Sequence, residues 1–75
     1  MIDSFVIKIY NNSIFVGYIK DTRLHRNGYY RFNKTKNIDK CMKYHLAQMA
    51  MFHLHEFLKI MLNLFAEVVE MKFQK

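Results

Sequence analysis

The chain has 75 residues, a formal net charge of +6 and a single cysteine, Cys41. This length allows one domain, residues 1–75, which buries only about 60% of the surface of its unfolded chain, and one cysteine excludes an intramolecular disulfide. We therefore expect a reduced, cytoplasmic protein that gains stability by oligomerisation.

Membrane insertion is not expected from the hydropathy pattern. The first residues lack the basic region and the long apolar run of a signal peptide. The C-terminal third is strongly apolar, but polar or charged side chains recur in it every three or four residues. No window therefore approaches the roughly 18 uncharged apolar residues of a membrane-spanning helix, and we expect no membrane partner.

The first predicted element is a β-hairpin. Residues Phe5 to Tyr10 alternate in polarity as a half-buried strand does, and Asn11 and Asn12 tolerate the positive φ angles of a two-residue turn. This turn places three apolar pairs on one face, and we expect that face to be the core. The pairs are Ile9 with Ile14, Ile7 with Val16, and Phe5 with Tyr18.

A second hairpin is predicted at Asn27-Gly28, the strongest short turn signal in the chain. A two-residue turn there mixes polar and apolar side chains on each face, because it places Leu24 opposite Arg31. A β-bulge near Asp21-Thr22, or at Gly17, would restore a clean face. We therefore expect a three-stranded antiparallel meander within residues 1–33.

The rest of the chain is predicted to be a short linker, residues 34–37, and one long helix, residues 38–75. The predicted helix contains neither Gly nor Pro, and Thr35 or Asn37 could serve as its N-cap. Unbroken, it would be about 55 Å long, which exceeds the sheet that it covers. The expected fold is α+β with the order βββα.

Two apolar rows run along this predicted helix, although packing on one sheet requires only one. The second row predicts a homodimer interface, with a groove for a different protein as the alternative. The residues expected in the dimer interface are Leu54, Leu58, Leu62, Phe65, Val69 and Phe73.

The positive charge is concentrated in one segment. Residues 20–43 contain eight Lys and Arg against two Asp, whereas the rest of the chain is balanced. Such a segment is typical of contact with RNA, DNA or another polyanion, and its tyrosines could stack on exposed bases. The alternative is a solvated hairpin whose tyrosines pack across strands. The residues expected to bind nucleic acid or a partner are Lys20, Arg23, Arg26, Tyr29, Tyr30, Arg31, Lys34, Lys36, Lys40 and Lys43.

Catalytic, cofactor and metal sites are not expected. Cys41 and His45 have the spacing of half a metal site on a helix, or of a nucleophile and its base, but no third group is evident to complete either site. No catalytic triad or phosphate-cradling glycine loop occurs. We therefore predict a binding protein that is not an enzyme and holds no cofactor.

In length, in its Lys-, Asn- and Ile-rich composition and in its lack of a catalytic motif, the chain resembles short anti-defence proteins of phages, such as anti-CRISPR inhibitors. The resemblance implies a viral inhibitor that binds a host nucleoprotein effector, by blocking or cross-linking it. It transfers no site residues. The alternatives are a direct nucleic-acid-binding regulator and a structural module that acts through its apolar helix.

Overall fold

The protein is described by a computed structural model, in which residues 4–71 are placed. They form a four-stranded antiparallel sheet in the order β3-β2-β1-β4, with a helix on one face. The elements are β1 Ser4–Asn11, β2 Ile14–Leu24, β3 Tyr30–Thr35, α1 Ala47–Ile60 and β4 Phe65–Met71. Within residues 4–71, no helix is long and apolar enough to cross a membrane.

The predicted βββα fold is wrong, because the C-terminal third is not one helix. Helix α1 ends before Met61, and a backbone hydrogen bond of 3.2 Å from Leu64 N to Met61 O closes a turn around Asn63. The chain then returns as β4, which pairs with β1 from Ser4↔Met71 to Tyr10↔Phe65. Phe65 and two adjacent valines favour a strand, and pairing with the central strand β1 outweighs the helix-like spacing of the two glutamates.

The predicted helix also begins nine residues too early. Met42 N donates to Ile19 O at 2.9 Å, and the backbones of Tyr44 and Phe5 exchange two hydrogen bonds of 2.7 and 2.8 Å. These bonds attach the segment between β3 and α1, which we call the linker, to β1 and β2. They lie beyond the point where the two strands stop pairing with each other. Backbone groups that bond to the sheet are not available to a helix, so α1 begins only at Ala47.

The register of the first hairpin differs from the predicted one. Its turn lies at Asn12 and Ser13, which have φ angles of +52° and +69°, as a tight two-residue turn requires. Tyr10 therefore pairs with Phe15, and a bulge then brings Ile9 opposite Gly17. The three predicted apolar pairs are wrong. The predicted core face holds for Ile7 and Ile9 of β1. It does not hold for β2, because Ile14 is 68% exposed, Tyr18 pairs with Lys8, and Ile19 enters the core instead.

The second hairpin turns through three residues rather than two. His25 N donates to Tyr29 O at 2.8 Å, His25 O accepts from Gly28 N at 3.0 Å, and Gly28 has a φ of +86°. This is the arrangement of a three-residue loop with a glycine in the left-handed region. This loop pairs Leu24 with Tyr30, so the predicted pair of Leu24 and Arg31 does not arise. A separate irregularity in the pairing lies between Ile19 and Asp21.

The core lies between the sheet and α1. Phe57 is its largest buried side chain from the helix, at 2% exposure, and Ile7, Ile9 and Ile19 of the sheet are almost fully buried. Strands β1, β2 and β4, helix α1 and Tyr44 from the segment before the helix thus contribute to a single apolar cluster. Its buried members are Ile7, Ile9, Ile19, Tyr44, Ala50, Leu54, Phe57 and Ala66.

Candidate nucleic-acid interface

The predicted binding residues lie on the hairpin of β2 and β3 and on the segment that follows it. We call residues 20–35 the basic hairpin. Of the ten predicted residues, all but Tyr30 and Lys43 are exposed. The exposed ones are Lys20, Arg23, Arg26, Tyr29, Arg31, Lys34, Lys36 and Lys40.

Within the part of the chain that the structure describes, no acidic side chain forms an ion pair with the basic hairpin. Within residues 4–71, the only ion pair is between Lys59 Nζ and Glu56 Oε2, at 2.9 Å on the helix. Asp21 is the one acidic residue of the basic hairpin, and its Oδ1 accepts a hydrogen bond of 2.6 Å from Asn33 Nδ2. The hairpin contains five Lys and Arg side chains and one Asp, so its net positive charge attracts an external anion.

Two predicted residues serve the fold instead. The ring of Tyr30 lies 5.9 Å from that of Phe52 and 5.6 Å from that of His53, between the sheet and the helix. Lys43 Nζ donates to Ile38 O at 2.6 Å and to Cys41 O at 3.1 Å, which fixes the linker. Neither group is free to meet a phosphate without breaking these contacts.

The pairing of β2 with β3 brings two arginines together. Arg23 and Arg31 are direct cross-strand partners, and neither forms an ion pair within residues 4–71. Such partners have Cβ atoms about 5 Å apart, and like charges there are destabilising. Both line a cleft of about 550 Å³ between β3 and the end of α1.

The sheet face opposite α1 carries an aromatic cluster that the sequence analysis did not identify. We call Tyr10, Phe15, Tyr18 and Phe65 the aromatic face. Neighbouring ring centroids are 6.3 Å apart for Tyr10 and Phe15, and 5.0 Å for Phe15 and Tyr18. Lys8 Nζ lies 5.3 Å from the Phe15 ring. Tyr10 and Tyr18 each follow or precede a core residue in their strand, which indicates that they face the other side of the sheet. The predicted register put Tyr18 on the core face, and the predicted helix included Phe65.

The predicted dimer interface does not form one surface. Leu54 belongs to the core of its own chain, and Leu58 packs against that core. Leu62 is 83% exposed in the turn after α1, while Phe65 and Val69 belong to β4. Phe73 lies outside the described residues. The helical seam is therefore wrong, because its residues are distributed over three elements.

Cys41 and His45 do not share a helix face, because both precede α1. Cys41 is buried, its Sγ lies 3.1 Å from Ile38 O, and burial raises the pKa of its thiol. His45 is exposed. Among the residues placed, no group of three or more His, Cys, Asp or Glu side chains could hold a metal ion. The helical spacing that suggested half a metal site does not exist.

One buried polar pair was also missed. Tyr44 Oη lies 2.6 Å from His53 Nδ1 inside the aromatic packing under α1. Burial raises the pKa of Tyr44, and it lowers the pKa of His53 against the opposing charge of Glu56. The tyrosine therefore keeps its proton and donates to a neutral imidazole. This geometry satisfies two buried groups and serves the core.

No family model matches the chain, and neither a curated protein nor a solved structure is similar to it at a significant level.

Proposed function

We propose that the protein is a small non-catalytic binding protein that contacts nucleic acid through the basic hairpin. The observation that supports this most is the set of exposed cations that acidic side chains leave unneutralised. A polyanion gains on binding such a set because each phosphate contact releases a condensed counterion. The single acidic residue of the hairpin, Asp21, offsets only one of its five cationic charges.

The aromatic face supports single strands as the preferred form of nucleic acid. Exposed bases stack on aromatic rings, and each such contact stabilises a complex by about 1–3 kcal/mol. Phe65 is 61% exposed, and Tyr10, Phe15 and Tyr18 are half-buried, so their rings remain accessible at this face. Duplexes offer no free base faces and would use the cations alone.

Inhibition of a host nucleoprotein effector is the biological role that we propose, following the resemblance to phage anti-defence proteins. A protein that covers the exposed strand of such an effector competes with the strand's proper partner and needs no catalytic group. The proposal requires only that the basic hairpin reach the nucleic acid of the complex. Self-association stays a prediction, for which light scattering on the purified protein is the direct measurement.

The test is a titration of labelled oligouridine, followed by fluorescence anisotropy at several salt concentrations. The hairpin variant Arg26→Glu with Lys34→Glu changes two exposed cations of the basic hairpin. It should bind about tenfold or more weakly at low salt, with a smaller salt dependence, because two phosphate contacts are replaced by repulsion.

The matched control carries the same change in net charge on the exposed side of α1: Gln48→Glu, His55→Glu and Lys59→Glu. It should bind nearly as the wild type does, since these positions lie away from the basic hairpin. If both variants lose the same affinity for oligouridine, the loss is due to net charge and not to the basic hairpin. Absence of oligouridine binding by the wild type would refute the proposal.

A further inference from the structure

The cleft between β3 and the end of α1 combines two kinds of lining. One side is cationic and polar, and the other is apolar. The lining includes Arg23, His25, Tyr30, Arg31, Phe32 and Met61. Its volume of about 550 Å³ falls within the range of small-ligand sites, which is about 300–1,000 Å³.

The cationic side carries a local cost that an anion would remove. Arg23 and Arg31 are opposite each other on neighbouring strands, and neither has an acidic partner within the described residues. A guanidinium pair is suited to phosphate, because its N–H groups donate charge-assisted hydrogen bonds to several oxygens at once. A phosphate between the two would convert repulsion into attraction.

The imidazole of His25 adds a second unsatisfied group. Its Nε2 is shielded from solvent and forms no hydrogen bond with any residue that the structure places. Buried polar groups are almost always paired, and an unpaired one destabilises the fold. The side chain lines the same cleft as the two arginines. A ligand oxygen in the cleft becomes its partner once the imidazole turns toward the cleft.

The apolar side suits a flat ring. Tyr30 and Phe32 are nearly parallel, with centroids 6.1 Å apart, and Met61 closes the cleft at the end of the helix. A methionine thioether adapts to aromatic surfaces. A ligand with a planar apolar part and an anionic part therefore matches the two sides of this cleft.

We propose that this cleft binds a nucleotide unit, with its phosphate between Arg23 and Arg31 and its base on the apolar side. The unit is either a free mononucleotide or one residue of a single strand. In the second case the inference rests on the proposed function, and it then identifies the position at which the strand is held most tightly.

The experiment compares inorganic phosphate, adenosine monophosphate, uridine monophosphate and short oligouridine by isothermal titration calorimetry. The cleft variant is Arg23→Gln with Arg31→Gln. Its control is Lys34→Gln with Lys36→Gln, which removes the same charge outside the cleft. We expect mononucleotide affinity to fall about tenfold or more in the cleft variant, as hydrogen bonds to a charged group are lost, and to change little in the control.

The source of the unit follows from the probes. Binding of both mononucleotides and oligouridine indicates a site open to free nucleotides. Binding of oligouridine alone, weakened more by the cleft variant than by the control, assigns the unit to a strand. Inorganic phosphate that binds as tightly as the mononucleotides would overturn the role of the base.

The inference and the proposed function fail separately. Oligouridine binding that the cleft variant leaves unchanged, with no mononucleotide binding, overturns the cleft and leaves the proposed function intact. Mononucleotide binding without oligouridine binding supports the cleft and overturns the proposed function. If the cleft variant fails to fold, Met61→Glu tests the site instead, because it puts a charged carboxylate on the apolar side that the base would occupy, without altering the strands. Unchanged mononucleotide affinity in this variant would also overturn the inference.

Discussion

The two sides of β2 are built in different ways. Toward β1 and α1, its side chain Ile19 is fully buried in a matched apolar cluster, and even the buried polar pair of Tyr44 and His53 is hydrogen-bonded. Toward β3, Arg23 faces Arg31, and Leu24 is 59% exposed. The first side has the matched apolar packing of a stable core. The second departs from such packing, and such departures are expected where a protein binds something.

This difference separates the residues that maintain the fold from those that are available for function. Substitutions in the apolar cluster should reduce stability and leave the intrinsic affinity of the remaining folded protein unchanged. Substitutions in the basic hairpin should reduce affinity and leave stability unchanged or improved. A residue that changes both properties would show that the two sides are coupled.

The largest expected effect is that of Phe57→Ala. The substitution removes a side chain that is 2% exposed and contacts Phe32 across the core, with ring centroids 5.4 Å apart. Truncation of a buried phenylalanine costs about 3–5 kcal/mol, which approaches the whole stability of so small a domain. Circular dichroism should show an unfolded or barely folded chain. Phe52→Ala is the control, since Phe52 is 47% exposed; an equal loss there would contradict this assignment of the core.

Gly17→Ala should have the next largest effect. Gly17 has a φ of +150°, and a Cβ atom there would lie 3.1 Å from the carbonyl oxygen of Thr35, where the end of β3 approaches β2. Strain and contact together should cost about 1–3 kcal/mol in urea unfolding. Gly28→Ala in the open turn has no neighbour within 4 Å and should cost less. A larger loss at Gly28 would contradict the described approach of the strands.

Tyr44→Phe should cost about 1–2 kcal/mol, because it leaves Nδ1 of His53 without its donor. The pair also predicts a dependence on pH. The pKa of His53 is lower in the folded protein than in the unfolded chain, so the unfolded state binds more protons as the solution is acidified. Stability from this residue should be complete well above a pH of about 6.5 and decline below it.

Urea unfolding at several pH values measures this decline, and His53→Gln is the reference variant. The variant should lose less stability than the wild type between about pH 7.5 and about pH 5, because it has no imidazole to charge at this position. An identical decline in both proteins would assign the effect to other groups.

Arg23→Gln should have the smallest effect on stability, and it should be favourable. Removing one member of a like-charged cross-strand pair relieves a repulsion of about 0.2–1 kcal/mol. The same substitution should weaken oligouridine binding. Thermal unfolding in low salt is the measurement, with Lys34→Gln as the control for net charge. A clear loss of stability in Arg23→Gln alone would show that the arginine serves the fold.

Part of this architecture could be predicted from the sequence. The alternation around Ile7 and Ile9 identified β1 and its buried face, and Asn27-Gly28 marked the second turn. The final strand was not predictable by the same means, because apolar and polar residues do not alternate within 65–71, and only pairing with β1 makes this segment a strand. The linker is likewise not helical as predicted, because its backbone forms hydrogen bonds with Phe5 and Ile19 of the sheet.

The candidate site shows the same limit. The concentration of basic residues could be read directly from the chain, whereas the Arg23–Arg31 pair depends on register. A two-residue turn would have placed Leu24 opposite Arg31; the three-residue loop moves Arg23 there. The aromatic face required the bulge between Ile9 and Tyr10 as well. Bulges and loop lengths are set by local backbone geometry that a hydrophobic pattern does not encode.

The central claim is that the basic hairpin contacts nucleic acid and the outer side of α1 does not. Mapping of backbone amide chemical shifts by NMR during titration with oligouridine tests it most directly. We expect the largest shifts within residues 20–35, with Gly28 and Arg31 among them, and none beyond noise at exposed helix positions such as Gln48 and His55. Shifts confined to α1, or no shifts at all, would contradict the claim.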